Sequence, residues 1–310
     1  MNDKNILITG GLGFIGSHIS NTLMDNNKVI IVDNQTTGSI NNLKNPNHEN
    51  LEVIIGDIRD IDFNEITSGI DYIFHLAAMA SVPLSIENPI ECNDININAT
   101  LNLIKSAVEN NVKKFIFSSS SAVYGDNLNM PLKETEPLMP KSPYAVSKVS
   151  CELYLKSFYD SFGLNYTILR YFNAFGPHQD KNSQYAAAIP NFISALLKGE
   201  QPVIYGDGEQ TRDFIYVDNI VQSNIAACKS NYNGIVNVAS GKSISINELY
   251  EIIKKTLNSD ITPKYLPKRP GDITHSLADV SNLKNINLKI NSSNFEQELK
   301  ETVNWFKTTL

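Results

Sequence analysis

The first half of the chain alternates short apolar runs with longer segments whose apolar residues recur every three or four positions. A helical period follows the first run, occupies residues 95–108 and begins again at residue 143. Because strands that alternate with helices pair in parallel, the pattern predicts a Rossmann-type, doubly wound α/β fold with ligands at the carboxyl ends of its strands. The predicted strands are residues 5–9, 29–33, 51–57, 71–78, 114–118 and 165–170.

The alternation becomes less regular in the second half of the chain. We therefore predict two domains, a Rossmann domain over residues 1–176 and a smaller α/β lobe over residues 177–310. A helix and a strand within residues 217–240 are expected to fold back onto the first domain. The later predicted elements are helices over residues 187–197, 220–228, 246–257 and 295–306 and a strand over residues 235–238.

Composition and charge exclude several classes of protein. The 310 residues carry a net charge of −7 and no basic run, so a nucleic-acid partner is not expected. No apolar run approaches the ~18 residues of a membrane span, and the N-terminus lacks a signal-peptide pattern, so no membrane partner is expected. Cys92, Cys151 and Cys228 are far apart, which favours reduced thiols in a cytoplasmic protein over a disulfide framework or a metal site.

A glycine-rich turn follows the first predicted strand. Gly10, Gly13 and Gly16 stand three apart ahead of a helical segment, and the second strand ends at Asp33. Glycines in such a turn let backbone N–H groups approach a pyrophosphate at a helix N-terminus, and the acid accepts hydrogen bonds from a ribose. Because Asp33 would repel a 2′-phosphate, the pattern predicts NAD rather than NADP. A merely structural turn is the alternative, which the strand, helix and acid in register disfavour.

A tyrosine and a lysine stand four residues apart at the start of another predicted helix. Ser142 suits the N-cap and Pro143 the first helical position, so Tyr144 and Lys148 should share one face of the helix. A nearby ammonium favours the phenolate, which predicts a lowered pKa for Tyr144 and a role as a general base. Taken alone, the pair is more typical of a helix surface than of a catalytic site. The rest of the chain favours catalysis.

Three further features have competing interpretations. His75 lies inside a predicted strand, which indicates a core histidine rather than a catalytic one. Four serines from Ser118 follow another strand without a G-x-S-x-G pattern, so a nucleophilic serine is not expected. Arg212 and Arg269 lie in loops beside glycines, where each is as typical of a surface salt bridge as of a phosphate site.

Together, these motifs resemble a known family over nearly the whole chain. Their order and spacing are similar to those of the extended short-chain dehydrogenase/reductases, and within them to the UDP-hexose 4-epimerases, closest to the subgroup acting on UDP-N-acetylglucosamine. The segments that carry the resemblance are residues 9–16, 33–34, 75–78, 118–125, 144–148, 170–173, 206–214 and 269–272.

The resemblance implies roles for individual residues. Tyr144 is expected to be the base, Lys148 to orient the nicotinamide ribose, and Ser120 to hydrogen-bond the sugar 4-hydroxyl. The implied NAD-binding residues are Gly10, Gly13, Phe14, Ile15, Gly16, Asp33, Asn34, Asp57, Ile58, Leu76, Ala77, Ala78, Asn98, Ser118, Tyr144, Lys148 and Tyr171. The implied UDP-sugar contacts are Ser81 and Val82 in a predicted loop, Ser120, Ser121, Tyr144, Asn173, Ala188, Ile189, Val203, Tyr205, Arg212, Arg269, Asp272 and Ser276.

The same resemblance narrows the expected reaction. Tyr144, with Ser120 bridging, would remove the 4-hydroxyl proton while hydride passes to NAD, giving a 4-keto sugar that rebinds by its other face. Dehydratases of the family carry an Asp-Glu pair where Ser121 and Ala122 stand here, which disfavours water elimination. The small Ser276 stands where a bulky residue would exclude a 2-acetamido group, which favours UDP-N-acetylglucosamine and UDP-N-acetylgalactosamine, with UDP-glucose and UDP-galactose as a second pair.

Two alternative functions remain open, and the resemblance also predicts how the protein assembles. A UDP-glucuronate 4-epimerase or decarboxylase is disfavoured because residues 81–85 offer no Arg or Lys for a carboxylate. A non-catalytic NAD-binding regulator would not need Tyr144, Lys148 and Ser120 together. The family resemblance implies a homodimer in which the helices around residues 98–108 and 144–158 form a four-helix bundle.

Overall fold

The structure, a computed structural model, describes residues 1–180, 187–268, 274–292 and 294–309. Within these ranges the strands are β1 Asn5–Thr9, β2 Lys28–Asp33, β3 Leu51–Ile55, β4 Tyr72–His75, β5 Lys114–Ser120, β6 Tyr166–Tyr171, β7 Asn173–Phe175, β8 Val203–Tyr205, β9 Thr211–Tyr216, β10 Gly234–Val238, β11 Ser243–Ser245 and β12 Lys264–Leu266.

The α-helices are α1 Phe14–Leu23, α2 Phe63–Ile66, α3 Val82–Glu87, α4 Pro89–Asn93, α5 Thr100–Glu109, α6 Pro143–Phe162, α7 Ala188–Leu197, α8 Val217–Lys229, α9 Ile246–Leu257 and α10 Phe295–Thr309. A π-helix, Asp94–Ala99, joins α4 to α5. Short 3-10 helices cover Ile40–Asn42, Ser121–Tyr124 and Ser281–Ile286.

The large sheet of the described residues has seven strands in the order β10-β6-β5-β4-β1-β2-β3. Every neighbouring pair in this sheet is parallel. The strand order reverses between β1 and β4, which opens a crevice at their carboxyl ends. The predicted Rossmann-type fold is therefore confirmed.

Side chains that alternate along each strand build a hydrophobic core on each face of the sheet. Ile6 and Ile8 of β1 pack with residues of α1 and α8 on one face, while Leu7 packs with α5 and α6 on the other. Strand β10 joins the sheet beside β6, and α8 covers the same face as α1. The division into domains at residue 176 remains a prediction.

A third core lies among α7, α9 and α10, with Ile193, Leu249 and Val303 fully buried. Beside it, β11 and β7 flank β9, and β12 pairs with β8. None of the helices in the described part of the chain combines the length and the apolar character needed to cross a membrane. The described ranges also contain no group of three or more His, Cys, Asp or Glu arranged to hold a metal ion.

The structure corrects one local prediction. Ser81 and Val82 belong to a helical start rather than a loop, because the Ser81 hydroxyl accepts the N–H of Leu84 at 3.3 Å and caps α3. Pro83 in the first turn suits that position, since its missing N–H would have no helical partner there.

Candidate active site

The turn between β1 and α1 brings bare backbone to the crevice. Gly10 has φ +71°, and a Cβ there would lie 2.7 Å from the Ala77 nitrogen. A Cβ on Gly16 would lie 2.0 Å from the Gly10 carbonyl oxygen. Both positions therefore require glycine. Helix α1 starts directly after Gly13 without a side-chain cap, so the N–H groups of its first turn can bind a pyrophosphate.

Asp33 lies where the second strand ends, close to this turn. Its side chain is 7% exposed and accepts the N–H of Leu12 at 3.0 Å and that of Gln35 at 2.7 Å. Two backbone donors leave lone pairs of the carboxylate free for hydroxyl donors. The glycine turn, the start of α1 and Asp33 therefore fit the diphosphate and the ribose of NAD.

The neighbouring strand end carries Asp57, one of the residues that the resemblance implies for NAD binding. Arg59 donates two hydrogen bonds of 2.9 Å to the Asp57 carboxylate and lowers its pKa to about 2. Asn34 donates a third at 3.1 Å. Arg59 was not predicted from the sequence, although its place two residues after Asp57 is a signal for a pair between the two side chains. Ile58 is buried beside them.

His75 is buried at the inner side of the crevice and has a structural role. Its two ring nitrogens lie 2.6 Å from the Thr9 hydroxyl and 2.7 Å from the Thr100 hydroxyl. Burial lowers the pKa of His75 to about 3, so the ring is neutral at physiological pH. The interpretation of His75 as a core histidine is confirmed. The backbone N–H groups of Leu76 and Ala77 bond the Thr9 carbonyl and turn the chain toward the glycine loop.

Helix α6 presents Tyr144 at the carboxyl end of β5. The Ser142 hydroxyl accepts the N–H of Ala145 at 3.2 Å, as the predicted N-cap requires. The Tyr144 hydroxyl is hydrogen-bonded to Ser120, and its backbone N–H donates to the Ser85 hydroxyl at 3.1 Å. The predicted base and the predicted sugar-binding serine therefore meet.

Lys148 lies one turn further along the same face of the helix. Its ammonium is 5.8 Å from the centre of the Tyr144 ring and donates to the Ser118 carbonyl oxygen at 2.8 Å. The side chain is 4% exposed, and burial lowers the pKa of Lys148 to about 8. An ammonium thus stands beside the phenol.

The prediction that this ammonium lowers the pKa of Tyr144 is wrong. Burial raises the pKa of Tyr144, and the hydrogen bond from Ser120 opposes that shift. The reason is geometric: the Lys148 ammonium bonds the Ser118 carbonyl rather than the phenol oxygen. Ser120 is therefore the protein group that favours the phenolate.

The serine run has a structural explanation that sequence analysis missed. The Ser118 carbonyl bonds Lys148, and Ser120 bonds Tyr144. Between them, the Ser119 hydroxyl donates to the Glu152 carboxylate at 2.5 Å. Glu152 also forms a buried ion pair of 2.6 Å with Arg170 on β6. Three consecutive residues of β5 therefore bond three residues of α6. The spacing 144, 148, 152 was the available signal, since residues four apart share a helix face.

The structure corrects one predicted site residue: Asn96, and not Asn98, faces the inside of the protein. Asn98 is exposed and bonds Asp94 at 2.8 Å, away from the crevice. Asn96 instead is 3% exposed, accepts the N–H of Met79 at 2.8 Å and donates to the Ser147 hydroxyl at 2.9 Å. Both residues belong to a π-helix, whose extra residue per turn changes which side chains face inward. A regular helical period could not have found Asn96.

Tyr171 supports the site from behind. Its hydroxyl lies 3.0 Å from the Ser118 hydroxyl and accepts from the Asn224 amide at 2.8 Å. Both hydrogen bonds are buried, and Tyr171 is 8% exposed. The structure therefore places it against Ser118, as a support for the strand that bonds Lys148.

Three of the predicted UDP-sugar contacts lie on or beside β9. Asn173 donates to the Asp213 carbonyl oxygen at 3.0 Å, and Arg212 donates to the Thr211 carbonyl oxygen at 2.9 Å. The N–H of Ser276 bonds the same Thr211 carbonyl at 3.1 Å, and Ser276 is 7% exposed. Arg269 and Asp272 lie outside the described residues.

Four further predicted UDP-sugar contacts, on α7 and β8, divide into two kinds. Ile189 is 1% exposed and packs with Ile204 in the core among α7, α9 and α10. Because strand side chains alternate, Val203 and Tyr205 project from the opposite side of β8 to Ile204, and both are partly exposed. Ala188 is partly exposed at the start of α7. Of this set, Ile189 is therefore a core residue rather than a surface one.

The chain matches a family model over residues 6–239, described as the NAD dependent epimerase/dehydratase family. It belongs to that family. A curated relative, the putative UDP-glucose 4-epimerase of Methanocaldococcus jannaschii, is 39% identical over 306 residues, which cover 97% of this chain and 98% of the relative. These findings identify the chain as an NAD-dependent epimerase-family enzyme.

Two solved structures of the family are similar along the whole molecule. The UDP-N-acetylglucosamine 4-epimerase of Methanobrevibacter ruminantium M1, in complex with UDP-N-acetylmuramic acid, is 60% identical with a TM-score of 0.99 and 100% coverage of both chains. The UDP-glucose 4-epimerase of Thermotoga maritima, with UDP-glucose, is 37% identical with a TM-score of 0.92, covering 98% of this chain and 99% of that one.

Proposed function

We propose that this NAD-dependent epimerase interconverts UDP-N-acetylglucosamine and UDP-N-acetylgalactosamine through a 4-keto sugar, with UDP-glucose and UDP-galactose as a second substrate pair. The observation that carries the proposal is the 60% identity over full length with a UDP-N-acetylglucosamine 4-epimerase. The arrangement of Tyr144, Ser120 and Lys148 supports it.

Each of these three residues has a defined part in the proposed chemistry. Tyr144 takes the proton of the sugar 4-hydroxyl and later returns it, and Ser120 hydrogen-bonds the phenol oxygen and the sugar oxygen in turn. Lys148 provides a positive charge beside the phenol and is held by the Ser118 carbonyl. NAD, when bound, supplies reversible hydride transfer at the sugar C4. Gly10, Gly16 and Asp33 would hold it, as described above.

The proposed preference for N-acetylated sugars rests on Ser276. Its place is assigned by resemblance, and its burial beside β9 agrees with a small wall residue. A UDP-glucuronate enzyme is the alternative. The carboxylate of UDP-glucuronate needs a cation in the site, and neither Ser81 nor helix α3 after it carries one.

Product analysis tests the function directly. The purified protein is incubated with UDP-N-acetylglucosamine, UDP-glucose or UDP-glucuronate, and the products are separated chromatographically. Epimers of the first two are expected, and Tyr144→Phe should abolish both. Conversion of UDP-glucuronate alone would refute the substrate assignment. An absence of turnover with all three substrates, together with NAD binding, would instead indicate a non-catalytic protein.

We propose that the enzyme is a cytoplasmic homodimer. The outer side of α6 exposes Val146 by 47% and Leu153 by 60%, and the nearby Ile90 is 76% exposed. Such a face suits a four-helix bundle with a second copy. Leu153→Asp should give monomers in sedimentation velocity, whereas Ile55→Asp, at an exposed apolar residue of β3, should not. Three buried free cysteines favour a reducing compartment.

A further inference from the structure

The segment of residues 274–279, which carries Ser276, is held between two neighbours. On one side, Thr211 of β9 bonds the Thr274 carbonyl at 3.0 Å and the Ser276 N–H at 3.1 Å. On the other side, Leu132 bonds the Leu277 carbonyl at 2.8 Å and the Asp279 N–H at 2.9 Å. Ser276 therefore has a position set by backbone pairing on both sides, and we call this stretch the Ser276 segment.

A buried carboxylate adds a further tie between β9 and the Ser276 segment. Asp213 is 0% exposed. One of its oxygens accepts the N–H and the hydroxyl of Ser240 at 2.8 and 2.7 Å. The other accepts the N–H of Gly241 at 3.1 Å and the N–H of Ala278 at 3.2 Å. Four donors converge on the Asp213 side chain, and one of them, the N–H of Ala278, lies two residues along the chain from Ser276.

The neighbouring residue gives this tie its functional meaning. Arg212 and Asp213 are adjacent on β9, so their side chains leave opposite faces of the strand. The family resemblance implies that Arg212 contacts the UDP-sugar, and under the proposed function its guanidinium binds the diphosphate. Strand β9 then carries Arg212, which binds the diphosphate, on one face and Asp213, which holds the Ser276 segment, on the other.

We propose that Asp213 is a positioning residue that sets the distance between the Ser276 segment and the diphosphate site, and thereby the space for the 2-substituent of the sugar. This inference rests on the proposed function. A carboxylate suits the task because both of its oxygens accept, and hydrogen bonds to a charged acceptor are stronger than those to a neutral one.

An amide cannot replace this carboxylate. Asparagine at position 213 would offer one accepting oxygen and one NH2 group, and the NH2 group would face N–H donors. Because Ser240 bonds one oxygen and Gly241 and Ala278 share the other, either Ser240 or both Gly241 and Ala278 would lose their acceptor. The Ser276 segment would then move relative to β9, while the Arg212 side chain on the other face keeps its own contacts.

The test compares two substrates that differ only at the 2-position. In Asp213→Asn, the ratio of kcat/KM for UDP-N-acetylglucosamine to that for UDP-glucose should change about tenfold or more from wild type. The Kd for UDP, which lacks the hexose, should stay within about threefold. Ser240→Ala is the matched control, because it removes one donor and leaves Ala278 bound; its ratio should stay within about twofold.

A double-mutant cycle with Ser276→Tyr completes the test. If Asp213 acts through Ser276, the effects of the two changes on the ratio should not be additive. Additive effects, an unchanged ratio in Asp213→Asn, or a loss of UDP affinity as large as the loss for the sugar nucleotide would each overturn the proposal. Wild-type protein without turnover of UDP-N-acetylglucosamine would refute the proposed function instead.

A second variant covers the case in which Asp213→Asn does not fold. Asp213→Glu keeps the charge and all acceptors but lengthens the arm by one methylene, so it should shift the Ser276 segment and change the ratio by about fivefold or more. A folded Asp213→Glu protein with the wild-type ratio would overturn the proposal.

Discussion

Glu152 and Arg170 form a buried ion pair of 2.6 Å, two helical turns along α6 from Tyr144. The guanidinium also donates to the Tyr124 hydroxyl at 2.9 Å, which in turn donates to Asn237 on β10 at 2.6 Å. Because Glu152 also accepts from Ser119, the pair connects the catalytic helix to three strands of the sheet. It therefore fixes the helix that carries the base.

Removing the charge of Glu152 should destabilise the protein. Glu152→Gln leaves the Arg170 guanidinium buried without its counter-ion, which costs about 3–5 kcal/mol of unfolding free energy. Urea unfolding measures the change. Glu109→Gln is the control, since Glu109 pairs with Lys105 at 3.4 Å on the surface and should cost less than about 1 kcal/mol. Equal effects of the two changes would contradict the structural role of the buried pair.

Ser120 should affect both the rate and its pH dependence. Ser120→Ala removes the hydrogen bond that opposes the raised pKa of Tyr144, so the basic form of the phenol should become available only at higher pH. We expect kcat to fall by about tenfold or more and the rising limb of the pH–rate profile to move to higher pH. Ser150→Ala, on the outer side of the same helix, should change kcat less than twofold. A Ser120→Ala profile that coincides with wild type would contradict this assignment.

Gly16 should be essential for the cofactor site. In Gly16→Ala, the new methyl would lie 2.0 Å from the Gly10 carbonyl oxygen, so the turn and the start of α1 must move apart. We expect NAD affinity to fall by at least about 100-fold in calorimetric titration. Gly69→Ala is the control: Gly69 has φ +75° but nothing within 4 Å of its would-be Cβ, so only stability should fall, by about 1 kcal/mol. Wild-type NAD affinity in Gly16→Ala would show that the turn does not bind the pyrophosphate.

His75 should make the protein sensitive to acid. Burial lowers its pKa in the folded state to about 3, against an ordinary value of 6.5. Between these two values the unfolded chain binds a proton that the folded protein excludes, so this contribution to stability is present above pH 6.5 and declines as the pH falls toward 3. The slope from this group is about 1.4 kcal/mol per pH unit. His75→Gln should reduce the slope in this window, measured by urea unfolding from pH 7 to 4. Identical slopes would contradict the neutral state of His75.

Ser276 should govern the choice of sugar. A tyrosine in its place would fill the space proposed for the 2-acetamido group, so Ser276→Tyr should lower kcat/KM for UDP-N-acetylglucosamine by about 100-fold. Turnover of UDP-glucose should fall less than about fivefold, because a 2-hydroxyl needs little room. Coupled assays with both substrates measure the two values. Unchanged turnover of the N-acetylated substrate would exclude Ser276 from the sugar pocket.

Local chemistry accounts for what could be predicted from the sequence. The glycine turn, Asp33 and the strands around them depend on contacts within one βαβ unit, and the fold class follows from the alternation of strand and helix periods. Tyr144 and Lys148 could be paired because residues four apart on a helix share a face. The N-cap at Ser142 is likewise a property of four consecutive residues.

The rest depends on contacts between distant segments. Asn96 faces inward only because a π-helix changes the helical period, and the Lys148 ammonium bonds Ser118 because β5 ends beside it. Asp213 acquires its role from Ser240 and Ala278, which lie 27 and 65 residues away. The sequence by itself determined which chemistry the chain carries, because periodicity and motif spacing are local. Only the tertiary structure decided which buried polar groups hold that chemistry in place, because their partners are brought together by folding.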